Sequence, residues 1–379
     1  MSILKPVFLL GNGLRGNPKL VESLCRLNVP VLTTWQACDL VPEDSPVFCG
    51  RPGVIGQRAA NIIQQKCNWL MVVGARLDME QVGHNLENFA PNAYKTVLDV
   101  DPAELEKYPK TWARYMTDLK SPFDGRYGGR LLPFVSGDLD WLAECKGIYN
   151  RFRHELDGSN EVQGTVDPYS FIQSLSIFSR EGDVLVPGSS GMQSCAFLQA
   201  FKVKKDQRVL VCNTIGAMGM EPMAIGAAIA TGRRVIVVTG DGGFAQNIQE
   251  LEVVARRSLP IHYFVFDNAG YGSIATTQDT RFGLRVGSTE ESGFSLPALS
   301  KIAGVWNFPF DVLCSNLDLY RIGDILSYPC PTITSVWTSL EFRYACKVMS
   351  NVVNGVLTPD RMEDMTPKLD PKELEEIMK

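Results

Sequence analysis

Several features that identify common protein classes are scarce in this sequence or missing from it. Histidine occurs only at His84, His154 and His262, in unrelated settings, so no Ser-His-Asp set or zinc pattern is found. No two of the ten cysteines are spaced C-x-x-C, which favours buried free thiols in a reducing compartment. No apolar run reaches the roughly 18 residues of a membrane helix, and the N-terminus has no signal-peptide pattern. We therefore expect a cytoplasmic protein with no membrane partner.

An excess of basic charge is also missing. Lys and Arg number 37 against 42 Asp and Glu, which gives a net charge of −5 and argues against nucleic acid as a partner. Apolar content of 45% and charged content of 21% are ordinary for a globular protein. The length of 379 residues exceeds one comfortable core, so two domains are expected.

Short apolar runs that alternate with helical stretches predict an α/β fold with two doubly wound parallel sheets. The expected strands are 7–10, 29–32, 69–74 and 96–100 in the first sheet, and 184–187, 208–211, 234–239, 261–266 and 332–337 in the second. The predicted domains are residues 1–156 and 167–357, with a linker at 157–166 and a charged C-terminal tail at 358–379.

Residues 234–268 read as one crossover unit, in which the two strands end in Gly-Asp-Gly-Gly and in Asp-Asn. A crossover of this kind brings Asp241 and Asn268 to the same edge of a parallel sheet. Mg²⁺ prefers oxygen ligands and usually keeps a phosphate oxygen among them. The amides of Gly242 and Gly243 open the next helix and can face that phosphate. The alternative is an ordinary crossover with a glycine-rich turn.

This segment resembles the signature of thiamine-diphosphate enzymes, GDG followed by NN after a spacer of this length. Asp267 stands at the first Asn, and Asn268 matches the second. The resemblance implies that Asp241, Asn268 and the main-chain carbonyl of Gly270 hold Mg²⁺ on the diphosphate of bound thiamine diphosphate. The other residues of this segment implied to bind the cofactor are Gly240, Gly242, Gly243, Tyr271 and Gly272.

The stretch 215–222 resembles the G-x-M-G turn of the acetolactate-synthase-like branch of that family. In that branch a bulky apolar side chain bends the cofactor, so the resemblance implies this wedge role for Met218 and a cofactor contact for Gly216. Small residues that pack at a helix N-terminus are the alternative. Glu221 departs from the usual glycine and would place a charge near the mouth of the pocket.

The turn at 188–193 follows a predicted strand and precedes a helix. By its position in the family pattern, it is implied to lie against the diphosphate, with Ser190 and Gly191 donating hydrogen bonds beside Met192. A plain strand-to-helix turn with a serine cap is the alternative. Tyr271 and Gln278 are expected on the substrate side of the site, next to a mobile loop at 279–296.

The stretch Gly11–Gly16 matches the dinucleotide fingerprint G-x-G-x-x-G. That fingerprint requires an acidic residue about 20 residues later at the end of the second strand, whereas the nearest acid is Asp39. The segment fits better the middle domain of acetolactate-synthase-like enzymes, where related glycines adjoin FAD or no ligand. FAD is thus left open as a cofactor, with Arg76 as its contact, and an NAD-dependent dehydrogenase is a less favoured alternative.

The resemblance covers most of residues 3–365. Members of the family normally begin with a pyrimidine-binding domain of about 150 residues or more, whose glutamate activates the cofactor. This chain starts inside the middle domain, and none of its glutamates matches that one. We therefore expect a separate pyrimidine-binding-domain subunit as partner, in a dimer or tetramer of hetero-units.

The implied activity is decarboxylation of a pyruvate-like 2-oxo acid, followed by protonation of the acyl carbanion or its transfer to an acceptor carbonyl. The cofactor serves as the electron sink, and the protein supplies binding and orientation. The alternative is a non-catalytic subunit that binds the cofactor or regulates an enzyme.

Overall fold

The protein is described from a computed structural model. The described residues are 4–83, 85–119, 137–156, 162–188, 192–211, 218–353 and 356–379. Three predicted site residues, Ser190, Gly191 and Gly216, lie outside them, as does part of the expected linker. The chain divides into two compact units. Unit 1 comprises Met1–Glu155 and Ala345–Lys379, and unit 2 comprises Leu156–Tyr344.

Unit 1 is built on a five-stranded parallel sheet with strand order β2-β1-β3-β4-β5. Its strands are β1 (Pro6–Leu10), β2 (Val31–Thr33), β3 (Trp69–Val73), β4 (Tyr94–Asp99) and β5 (Ala113–Met116). Its helices are α1 (Pro18–Cys25), α2 (Arg58–Lys66), α3 (Met79–Val82), α4 (Pro102–Glu106) and α5 (Leu139–Phe152), with 3₁₀ turns at Asn12–Gly16, Trp35–Ala37 and Leu86–Asn88. Every residue of β1 is buried, as expected for a parallel strand covered on both faces.

Unit 2 is built on a six-stranded parallel sheet with strand order β10-β11-β9-β8-β6-β7. Its strands are β6 (Val184–Pro187), β7 (Arg208–Val209), β8 (Val235–Gly240), β9 (Ile261–Asp267), β10 (Phe310–Leu313) and β11 (Thr332–Trp337). Its helices are α6 (Pro168–Phe178), α7 (Met192–Ala200), α8 (Pro222–Thr231), α9 (Asp241–Phe244), α10 (Leu251–Arg256), α11 (Gly272–Arg281), α12 (Leu299–Trp306) and α13 (Ile322–Ile325). Its 3₁₀ turns are Ala245–Glu250, Glu290–Ser292 and Asn316–Arg321.

Local sequence explains where several helices begin. Proline is the first residue of α1, α4, α6 and α8, where its missing N–H costs nothing. The preceding Asn17, Asp101 and Asp167 each accept a main-chain N–H of the first turn through their side chains.

The C-terminal segment belongs to unit 1 and is not a separate surface tail. It contains the hairpin strands β12 (Ser350–Val353) and β13 (Val356–Pro359) and the helix α14 (Pro371–Met378). Its side chains Met362 and Met365 are buried, and the buried Arg58 of α2 donates hydrogen bonds to the carbonyls of Met365 and Pro367. The sequence instead placed residues 345–357 in the second domain and 358–379 in a tail, because a charged stretch does not reveal what its apolar residues contact.

The predicted fold class is confirmed, since both large sheets are wholly parallel and carry helical crossovers. The sequence missed β5 and β10, which are short and only partly buried and therefore lack a continuous apolar run. Among the described residues, no helix combines the length and the apolar character needed to cross a membrane.

Candidate functional site

In the sheet of unit 2, the chain leaves two neighbouring strands toward opposite sides of the sheet. Strands β6 and β8 are hydrogen-bonded neighbours, with Pro187 opposite Val238. After β6 the chain runs to β7 on one side, whereas after β8 it runs to β9 on the other. In open α/β sheets, ligands bind in the crevice outside the carboxyl ends of strands at such a point. The residues that follow these two strands therefore form the candidate site.

Asp241 stands at the carboxyl end of β8, and its side chain is almost fully buried. One oxygen, Oδ1, accepts the N–H of Gly242 at 2.7 Å. The other, Oδ2, accepts the N–H groups of Asn268 at 3.1 Å and Gly270 at 3.3 Å. Burial raises the pKa of Asp241 to about 7, although these N–H donors act in the opposite direction. The fold thus buries this carboxyl group in a place where no described residue supplies a compensating positive charge.

The end of β9 supplies oxygen atoms beside Asp241. Asn268 Oδ1 is buried and accepts no hydrogen bond from any described residue. Ala269 adopts a φ of 57°, in the left-handed region that costs a residue other than glycine about 1 kcal/mol or more. This arrangement suits a hard divalent cation, which prefers oxygen ligands. By binding both the Asp241 carboxylate and the unpaired Asn268 oxygen, a cation would offset the free-energy cost of burying them in a strained turn.

Gly270 and Gly242 are each held against other parts of the site. A Cβ atom at Gly270 would collide with the carbonyl oxygen of Ser288, and one at Gly242 would collide with the ring of Tyr271. The Tyr271 ring also packs against Phe294, with 4.2 Å between ring centroids. Glycine at both positions is therefore required by close approach.

The predicted mobile loop at 279–296 is fastened by many hydrogen bonds to the helix before it. Gln278 donates to the carbonyl of Val286 at 3.0 Å and accepts from Val286 N and from Ser288 Oγ. Arg285 forms a two-point ion pair with Asp279. We call residues 282–289 the strap. The side chain of Gln278, which was expected on the substrate side, is thus hydrogen-bonded to the strap. A pocket of about 180 Å³ lies between Asp241 and Phe294.

Met218 lies in a segment tied to the same edge of the sheet. Gly219 has a φ of 76°, and its carbonyl accepts a hydrogen bond from Asn247 Nδ2 at 3.0 Å. Met220 N donates to the carbonyl of Gly188, the residue after β6, at 3.1 Å. Met218 itself is half-buried. This hydrogen bond joins the turn predicted at 188–193 to the one predicted at 215–222, and nothing in the sequence had indicated it.

Glu221 is buried and not at a pocket mouth, which corrects the position expected from the sequence. Its side chain is 4% exposed, and its Oε1 accepts a hydrogen bond from Thr239 Oγ1 of β8. Asp267, the departure from the NN signature, accepts a hydrogen bond from Ser335 Oγ at 2.8 Å. Neither contact was foreseen, because each joins residues far apart in the chain. Met192, which was expected in the predicted diphosphate turn, begins α7.

The glycine turn of unit 1 is occupied by contacts within the fold. Gly11 N donates to the carbonyl of Val73 and Gly13 N to that of Gly74, each at 2.9 Å. A Cβ atom at Gly11 would collide with Ala75. These amides are the donors that a dinucleotide pyrophosphate would need.

Two charged residues considered for nucleotide contacts also have partners in the protein. Asp39 is bound by Arg15 through two hydrogen bonds, of 2.5 and 3.1 Å. Arg76 is largely exposed and pairs with Glu104 at 3.5 Å. These contacts argue against the dehydrogenase alternative.

Two protein-family models match the chain. Residues 2–122 match the central domain of thiamine pyrophosphate enzymes, and residues 188–314 match the C-terminal TPP binding domain of the same enzymes. Together the two matches cover more than half of the chain. The second contains Met218, Asp241 and Asn268.

Curated relatives are acetolactate synthases. The chain is 28% identical over 293 residues to the acetolactate synthase isozyme 2 large subunit of Escherichia coli, which covers 75% of this chain and 51% of that protein. It is 28% identical over 291 residues to the probable acetolactate synthase large subunit of Methanocaldococcus jannaschii, covering 74% and 49%. It is 27% identical over 353 residues to acetolactate synthase 2, chloroplastic, of Zea mays, covering 88% and 53%. The chain spans about half the length of these relatives.

Proposed function

Because the chain belongs to the thiamine pyrophosphate enzyme family, with acetolactate-synthase-like relatives, we propose that unit 2 holds thiamine diphosphate through Mg²⁺ and takes part in decarboxylation of a small 2-oxo acid. The observation that carries this proposal is the pairing of the buried Asp241 carboxylate with the unpaired Asn268 Oδ1 at the carboxyl edge of the sheet. A cation is the simplest partner for both oxygens.

In this proposal, Asp241, Asn268 and the carbonyl of Gly270 are the protein ligands of Mg²⁺. The N–H groups of residues 242, 268 and 270 hold the two Asp241 oxygens in place before a cation binds. Such preorganisation lowers the cost of binding. The remaining metal positions are left for diphosphate oxygens and water.

Other residues are proposed to shape the cofactor cavity. Met218 is the apolar wedge, because its half-buried, flexible side chain lies in the segment bonded to Gly188 and Asn247. The residues proposed to line the diphosphate and the adjoining ring are Ser190, Gly191, Met192, Gly216, Gly240, Gly242, Gly243, Tyr271 and Gly272.

When thiamine diphosphate is bound, it supplies an electron sink for the pair of electrons left behind when carbon dioxide departs from the substrate. The chain's own contribution is to bind the diphosphate, orient the cofactor and, through the Tyr271–Phe294 pair, form one wall of the cavity. We propose that a separate polypeptide with a pyrimidine-binding domain supplies the activating glutamate. The acyl group left after loss of carbon dioxide is then released with a proton or transferred to an acceptor carbonyl.

Calorimetric titration of the purified chain tests the proposal. Thiamine diphosphate should bind when Mg²⁺ is present and bind far more weakly with EDTA. Pyruvate consumption should appear only after a pyrimidine-domain polypeptide is added. Binding without turnover in either case would favour a non-catalytic subunit, and no binding under any condition would contradict the proposal. The visible absorbance of the purified protein tests whether it also binds FAD.

A further inference from the structure

Glu221 is a buried acid with no part in the proposed function. It directly precedes α8, and its side chain is 4% exposed. Thr239 Oγ1, itself fully buried in β8, donates a hydrogen bond to Glu221 Oε1. A Cβ atom built at Gly188, just after β6, would lie 3.2 Å from the same oxygen. One carboxylate oxygen is therefore hydrogen-bonded to the end of β8 and lies close to the residue that follows β6.

The main chain beside Glu221 is bound to the same two strand ends. Met220 N donates to the carbonyl of Gly188 at 3.1 Å, and Gly188 N donates to the carbonyl of Val238 at 2.8 Å. Thr239 lies two residues before Asp241 in the chain. A displacement of Glu221 would therefore reach both the turn after β6 and the turn that carries Asp241.

We propose that Glu221 is a positioning residue for the cofactor site. Through the Thr239 hydroxyl and its packing on Gly188, it sets the spacing between Gly188, which follows β6, and Asp241, which follows β8. This proposal rests on the proposed function, because the two turns are there assigned to the diphosphate and to its cation. A misplacement of about 1 Å in such a site costs up to about 100-fold in efficiency.

The role requires an acceptor oxygen at position 221 and a donor at position 239. Glu221→Gln keeps an acceptor oxygen of the same reach, whereas Glu221→Leu removes it with little change in volume. Thr239→Val removes the donor and keeps the side-chain shape. We expect the Kd for thiamine diphosphate with Mg²⁺ to rise about tenfold or more in the Leu and Val variants and to stay within about threefold in the Gln variant.

A matched control is available at the opposite edge of the same sheet. Thr332 is fully buried at the amino end of β11, and its hydroxyl is hydrogen-bonded to His262 Nδ1 at 3.1 Å. Thr332→Val removes a comparable buried hydrogen bond far along the strands from Asp241. It should lower Tm about as much as Thr239→Val while leaving the Kd unchanged.

The experiment measures Kd by calorimetry and Tm by scanning calorimetry for the unmodified chain and all four variants. A raised Kd in Thr239→Val and Glu221→Leu, with rescue in Glu221→Gln, supports the positioning role. If Thr239→Val and Thr332→Val lower Tm equally and neither changes Kd, Glu221 only stabilises the fold, and the positioning role is overturned. Failure of Glu221→Gln to retain affinity would overturn it too. If the unmodified chain binds no thiamine diphosphate, the proposed function fails first, and this inference with it.

Discussion

At the carboxyl edge of the unit 2 sheet, Asp241 is held by main-chain donors from the two turns that meet there. The spacing of Gly-Asp-Gly and Asp-Asn located Asp241 and Asn268, because a crossover must return its strand ends to one edge. The sequence could not show that the buried Asp241 carboxylate accepts three main-chain hydrogen bonds, or that Thr239 donates a hydrogen bond to Glu221. Those contacts depend on how distant turns meet.

Replacing Asp241 by asparagine should weaken binding of thiamine diphosphate with Mg²⁺ by about 100-fold or more, because the amide keeps the size but lacks the charge that attracts the cation. Calorimetric titration at fixed Mg²⁺ measures the change. The matched control is Asp324→Asn, an exposed acid of unit 2, which should leave the Kd unchanged. An unaltered Kd in Asp241→Asn would contradict the assignment of this metal ligand.

Protonation of His262 should couple stability to pH. Burial, and then the positive charge of Arg234, lowers the pKa of His262 to about 4 in the folded protein. The unfolded chain takes up the proton near pH 6.5, so stability is lost as pH falls from about 6.5 toward 4. Between pH 7.5 and pH 5 the loss attributable to this residue is about 2 kcal/mol.

The measurement compares urea unfolding of the unmodified chain and of His262→Gln at the two pH values. The variant is less stable at pH 7.5 but should lose about 2 kcal/mol less than the unmodified chain on going to pH 5. Parallel losses in the two proteins would show that His262 does not carry this dependence.

At the scale of elements, the sequence predicted long buried strands better than the pieces around them. Strands β1, β8 and β9 are mostly apolar and buried, and were located to within a residue or two. The expected mobile loop instead contains the strap, because its polar residues bond to one another and to α11. Composition alone does not distinguish a solvated polar loop from one whose polar groups are paired.

Removal of the Gln278 side chain should loosen the strap. Three hydrogen bonds to Val286 and Ser288 would be lost, and at an exposed site we expect local opening to become easier by about 1 kcal/mol. Hydrogen exchange of residues 283–289 should therefore speed up several-fold in Gln278→Ala. Thr276→Ala, an exposed change on the same helix, serves as the control. Unchanged exchange in Gln278→Ala would show that these bonds do not hold the strap.

At the scale of the whole molecule, the parallel α/β architecture followed from the alternation of apolar runs and helical stretches, whereas the division of the chain did not. Unit 1 is completed by residues 345–379, whose buried Met362 and Met365 sit in an otherwise charged stretch. Arg58 is 2% exposed, pairs with Glu155 at 2.6 Å and bonds to two carbonyls of this segment.

Replacing Arg58 by methionine should destabilise unit 1 by about 3 kcal/mol, because a buried ion pair loses one partner and two carbonyls lose their donor. Scanning calorimetry with limited proteolysis should show residues 345–379 cleaved earlier. The control is Arg26→Met, whose ion pair with Glu22 is mostly exposed and worth at most about 1 kcal/mol. Equal destabilisation by the two changes would show that Arg58 does not anchor the segment.

The return of the last residues to unit 1 has a consequence for the order of events during synthesis. Unit 2 is encoded by one uninterrupted stretch, whereas unit 1 combines residues from both sides of that stretch. Domains generally fold as units while the ribosome elongates the chain. Synthesis of unit 1 thus begins before that of unit 2 and is completed after it, so a nascent chain stalled before residue 345 has the whole sequence of unit 2 but lacks part of unit 1.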